Sequence, residues 1–163
     1  MVVVKWLLIA MAVAAAAVLV AAQFGLFQGR APAHPGVREG RLKPPSKTPN
    51  SVSSQAALHP EHPMRAYADI APLPLAGDGA ATIARIRSIV EDMPGAKLIA
   101  GEPDYLYVQF TTRLMKYVDD AEFWFDPAAQ VVHVRSSSRV GRKDFGVNRA
   151  RIEAIRARLA ATA

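Results

Sequence analysis

The chain has 163 residues, a formal net charge of +6 and no cysteine. Setting aside a non-globular N-terminal third, this length leaves room for one compact domain of roughly 100 residues with a single modest core, and not for two. The missing thiols exclude disulfides, a thiolate nucleophile, a thiolate metal site and lipid attachment through cysteine, so the compartment has to be read from the N-terminus.

After Lys5, residues 6–22 carry no charged or strongly polar side chain, and Val2, Val3 and Val4 extend the apolar run. About 20 helical residues cross the hydrocarbon core, and a single lysine can snorkel to the headgroups. Residues 1–27 are therefore expected to be a transmembrane anchor, with residues 2–22 as the membrane contact. The alternative is a cleaved signal peptide, because the small residues Val20, Ala21 and Ala22 precede Gln23. A buried helix of a soluble protein fits poorly, since the run is apolar on every face. Arg30, Arg38, Arg41, Lys43 and Lys47 follow the span and by the positive-inside rule would favour a cytoplasmic domain. Only Arg30 and Arg38 lie within about 16 residues of the span, where the rule applies. The expectation is a domain anchored in the cell envelope and facing the exported, periplasmic side.

From residue 28 to about residue 63 the chain is rich in Pro, Gly, Ser and Lys and has almost no periodic apolar residues. Such a segment buries too little surface to offset its ordering entropy and reads as a tether. His59, Glu61 and His62 lie there among prolines with no fixed geometry, so no metal site is assigned to them.

Asp78 and Gly79 lead into residues 80–92, where Ile83, Ile86, Ile89 and Val90 recur at helical spacing before Pro94 and Gly95 stop the run. Residues 97–100 and 105–112 have the β-branched and aromatic enrichment of strands, with a turn at 101–104; residues 114–118 and 121–126 continue in the same style. A four-residue loop at 127–130 pairs Asp126 with Val131, Phe125 with Val132, Trp124 with His133, Phe123 with Val134 and Glu122 with Arg135. Alternation then puts Phe123, Phe125, Val132 and Val134 on the core face and Glu122, Trp124, His133 and Arg135 on the other. A last helix is expected to start between Asp144 and Asn148, either of which can cap it, with Ile152, Ile155 and Leu159 as its apolar stripe. Arg149, Glu153 and Arg156 line another face of it. The fold class is α+β: an antiparallel sheet of about four strands with two helices packed on one face.

Three blocks resemble those of a known family. They are Pro49 to Gln55 (PNSVSSQ), Tyr117 to Phe123 (YVDDAEF) and Val134 to Arg149 (VRSSSRVGRKDFGVNR). They are similar to the signature blocks of the domain-of-unknown-function 1499 family, and the resemblance covers roughly residues 49–159. It implies an uncharacterised, envelope-associated domain and supplies no catalytic residues. It also implies that residues 50–55 belong to the domain, which divides the chain into an anchor or signal at 1–27, a linker at 28–48 and one domain at 49–163. The sequence departs from the family pattern at Ser51, where cysteine is usual, so any role tied to that thiol is in doubt.

Residues 131–158 carry seven arginines and one lysine against two acids, an excess equal to the net charge of the whole chain. Ser136, Ser138, Arg139, Arg142, Asn148 and Arg149 supply hydroxyl, amide and guanidinium donors beside a helix N-terminus, which is the chemistry of an anion site. An anionic small molecule or a lipid headgroup is the expected guest. The competing reading is structural: Asp119, Asp120, Glu122 and Asp144 neutralise Arg135 and its neighbours in an ion-pair network that fixes the fold of a scaffold protein. A third reading is a hydrolase using Asp119, Glu122 or His133, but adjacent Asp119 and Asp120 point to opposite faces of a strand, and no G-x-S-x-G, H-E-x-x-H or phosphate-loop spacing occurs. No catalytic residue, metal or cofactor is assigned. No nucleic-acid partner is expected either, because the basic excess is local and lacks interleaved aromatics. No protein partner is assigned.

Overall fold

A computed structural model describes residues 2–161. Helix α1, Val2–Gln23, has a mean hydropathy of 2.5, and none of its apolar window is buried in the fold. It is long and apolar enough to cross a bilayer, and it has the length and composition of a membrane anchor or a signal sequence.

The sheet has five antiparallel strands: β1 Ser51–Ser53, β2 Ala96–Glu102, β3 Tyr105–Thr111, β4 Val118–Asp126 and β5 Val131–Ser138, in the order β1-β5-β4-β3-β2. The β4–β5 register is the one expected, from Asp126 opposite Val131 to Glu122 opposite Arg135. Two details differ from the sequence reading. The fifth strand is β1, whose three residues are all buried and so show no alternation. Residues 112–117, in turn, do not form a strand: Thr112 accepts and donates across a tight turn to Tyr117, and Lys116 sits at φ 57°, where extended pairing cannot continue.

Helices α3, Gly79–Glu91, and α4, Val147–Ala161, pack on one face of the sheet; a single-turn helix, α2, lies at Arg65–Ala68. Asp78 caps α3 by accepting from the Ala81 amide at 2.7 Å. Ile83, Ile86 and Val90 from α3 and Ile152, Ile155 and Leu159 from α4 close over Leu106, Val108, Ala121, Phe123, Val132 and Val134. Each such aliphatic or aromatic side chain stabilises the fold by about 1.5–3 kcal/mol relative to exposure.

The opposite face of the sheet is covered by chain without regular structure. The Gly36 amide donates to Glu122 Oε1 at 2.7 Å, the Leu42 amide to Gln55 Oε1 at 2.8 Å, and Arg135 Nε reaches the Pro44 carbonyl at 3.3 Å. Leu42, within this strap, is itself buried. The end of α1 touches the domain as well. Gln23 Nε2 donates to the Leu114 carbonyl at 3.0 Å, and the Phe27 and Tyr117 rings lie 5.6 Å apart. The β3–β4 turn therefore sits where the apolar helix ends.

Candidate functional site

Strand alternation divides the conspicuous polar residues between two separate clusters. On the helix side, Ser136, Ser138 and Asp119 share a face with the core residues of β4 and β5 and meet the first turns of α4. Asn148 is the hub. Its Oδ1 accepts from Ser136 at 2.5 Å and from Arg151 Nη1 at 2.9 Å, and its Nδ2 donates to Ser138 Oγ at 2.9 Å and the Asn50 carbonyl at 3.2 Å. Arg151 Nη2 pairs with Asp119 at 2.6 Å and stacks over the Phe110 ring at 4.5 Å.

The anion at the N-terminus of α4 is the chain's own Asp144. Its carboxylate accepts from the Gly146 and Asn148 amides at 3.1 Å each, from Asn148 Nδ2 at 2.9 Å and from the Tyr67 hydroxyl at 2.5 Å. Burial opposes ionisation of Asp144, but these donors outweigh it and hold its carboxyl below the usual carboxylate range. The Tyr67 phenol is pushed up by burial and by the same carboxylate. Arg149 donates from Nη2 to the Tyr67 carbonyl at 2.6 Å, and among the described residues no carboxylate lies within ion-pair distance of it.

On the strap side, Arg139 clasps Asp120 with Nε and Nη2 at 2.8 and 2.7 Å, and the Tyr107 hydroxyl adds a bond to the same carboxylate at 2.6 Å. The hydrogen bonds that Arg139 donates to Asp120 raise its basicity above the ordinary value. Glu122, 1 % exposed, accepts from Tyr105 at 2.7 Å and lies 3.8 Å from Arg135. Burial lowers the pKa of Arg135, and burial beside Glu122 raises that of Tyr105. Ser51, buried in β1, accepts from the Ser46 amide at 2.8 Å. His133 stacks on Trp124, contacts Ser54 Oγ at 3.0 Å and lies 3.6 Å from Asp126; burial lowers its pKa against the pull of that carboxylate.

The structure thus brings Ser136, Ser138, Asn148 and Asp144 together with Asp119 and places Arg139 with Asp120, Glu122 and Arg135 on the far side of the sheet. Asp119 is separated by the sheet from Glu122 and His133, so these three do not converge on one reacting atom. Among the described residues no group of three or more His, Asp or Glu is placed to hold a metal ion. Arg151, not singled out in the sequence, is the principal partner of Asp119; its signal is its place three residues after Asn148, beside the apolar stripe of α4. Arg142 and Lys143 are exposed. Lys143, Phe145, Gly146 and Arg149 line a cavity of about 400 Å3 with Pro49 and Tyr67.

Residues 41–159 match the family described as protein of unknown function (DUF1499). No curated protein and no solved structure matches the chain. The matched segment runs from the strap that covers Glu122 through β1 and the Asp144–Asn148 hub to the last turn of α4, and by that match the chain belongs to the DUF1499 family.

Proposed function

We propose that this protein is a membrane-tethered domain of the cell envelope that binds an anionic group, with its internal ion pairs acting as the scaffold of the binding surface. The observation that carries this reading is the cavity beside the start of α4. After Asp144 has taken the helix N-terminus, Lys143 and Arg149 still line this opening, and no carboxylate side chain does. Arg142, exposed like Lys143, adds a third cation one residue away, beside the half-buried Arg149. The guanidinium groups of Arg139 and Arg151 are spent on Asp120 and Asp119 and are not available to a guest. The ligand surface is therefore narrower than the whole basic loop. α1 supplies the tether, and retention of the full chain in bilayers through alkaline extraction tests that part.

Binding is tested by thermal unfolding of the full chain in neutral detergent with rising glycerophosphate. A ligand specific to the folded state raises stability as ln(1 + [L]/Kd), and Lys143→Gln should weaken the rise. The second reading, an architectural brace without a guest, is favoured by the pairing of Arg135, Arg139 and Arg151 with acids. A melting temperature that ignores glycerophosphate would support it.

A further inference from the structure

A larger cavity, of about 740 Å3, opens between the β3–β4 turn and the first turns of α4, outside the loop discussed so far. Phe110, Arg113, Lys116, Val147 and Arg151 line it, and no acidic side chain does. Arg151 is committed to Asp119, whereas among the described residues Arg113 and Lys116 have no acidic group within ion-pair distance. Lys116 is held in the left-handed region at φ 57° beside this opening, a conformation a lysine adopts only under local constraint.

The position of the cavity indicates what could fill it. Its turn is the one that receives Gln23 at the end of α1, through the Leu114 carbonyl, and Phe27 through Tyr117. A helix of 22 residues is about 33 Å long and spans a hydrocarbon core of about 30 Å, so its last residue emerges among the headgroups. Around the same end, Phe24 is 87 % exposed and Leu114 62 %, which is the apolar fringe expected of a surface lying in the interface. Cations without acidic partners beside that plane meet lipid phosphates before any soluble anion.

We infer that the cavity bounded by Arg113, Lys116 and Val147 is a headgroup site for an anionic phospholipid of the leaflet from which α1 emerges. This rests on α1 being a retained anchor, and it extends the anion-binding reading to a second site with a defined ligand source. The phosphate meets Arg113 and Lys116, while Phe110 and Val147 lie against the glycerol and upper acyl chain.

The test uses the full chain in nanodiscs of mixed phosphatidylcholine and phosphatidylglycerol, with the lipids that remain bound on gentle release counted by native mass spectrometry. The expected result is one phosphatidylglycerol retained over phosphatidylcholine by an order of tenfold relative to the bulk ratio. The excess is lost in Arg113→Gln/Lys116→Gln, where both changes are on accessible side chains, and kept in Lys143→Gln. Retention at the bulk ratio overturns the site, as does loss of the excess in Lys143→Gln alone. Displacement of the lipid by millimolar inorganic phosphate overturns the lipid as its ligand. A chain that leaves the bilayer altogether overturns the anchor reading and this site with it, whereas a chain that stays without selecting lipid overturns this site alone.

Discussion

Asp119 and Asp120 are neighbours in the chain and serve opposite sides of the sheet: Asp119 pairs with Arg151 of α4 at 2.6 Å, and Asp120 with Arg139 at 2.7 Å. Strand alternation makes this obligatory. One dipeptide therefore ties the closing helix to one face and the loop after β5 to the other.

Removing either partner of a buried pair strands a charge, at a cost of about 3–5 kcal/mol, while removing both costs far less. Arg139→Met should accordingly lower unfolding stability in urea by about 3 kcal/mol. Asp120→Asn combined with Arg139→Met should lose clearly less than the sum of the two single changes. Additive losses would show that the pair is not coupled.

Asp144 carries a pH dependence. Its folded pKa is depressed, so its stabilising contribution is complete above the unfolded carboxylate value of about 4 and disappears as pH falls through the lower folded value. Asp144→Asn should destabilise the domain near neutral pH, and the gap from wild type should close below about pH 4. Thermal unfolding of both chains across that range reads the effect directly. A gap that stays constant with pH would mean the carboxylate is not what the amides of Gly146 and Asn148 and the Tyr67 hydroxyl are holding.

Gly79 separates helix propensity from packing. By propensity alone, Gly79→Ala in the first turn of α3 should gain up to about 1 kcal/mol. A Cβ there would lie 2.2 Å from a Phe125 ring carbon, so the substitution should instead cost about 1–3 kcal/mol through overpacking. Phe125→Leu in the same chain should recover part of the loss, as read by denaturant midpoint.

Much of this architecture is written locally. The β4–β5 hairpin is legible because Phe123, Phe125, Val132 and Val134 alternate with polar residues about a four-residue turn, and a slip of one residue would bury Glu122 in the hydrocarbon core. The apolar stripes of α3 and α4 are legible for the same kind of reason, at a period of 3.6. β1 is not, because Ser51, Val52 and Ser53 are buried on both faces and have the composition of a turn. The 112–117 turn is not either: Leu114 and Tyr117 have strand-like composition, and nothing in Lys116 advertises a positive φ. Within the site, the hydroxyls and Asn148 are legible as donors beside a helix start. Asp144 is legible as a cap of that start as well, through the local amides of Gly146 and Asn148; the Tyr67 hydroxyl that completes its hydrogen bonds comes from 77 residues away, which no local pattern carries.

The proposed lipid site requires the base of the domain to rest against the bilayer at the end of α1. With no cysteine in the chain, a fluorophore on Leu114→Cys marks the β3–β4 turn uniquely, and one on Ala129→Cys marks the far hairpin, beyond the nine residues of β4 and so about 30 Å away. In full chain reconstituted into vesicles, headgroup spin-labelled lipid should quench the Leu114→Cys probe strongly and leave the Ala129→Cys probe near its value in water. Equal, weak quenching at both positions would contradict it.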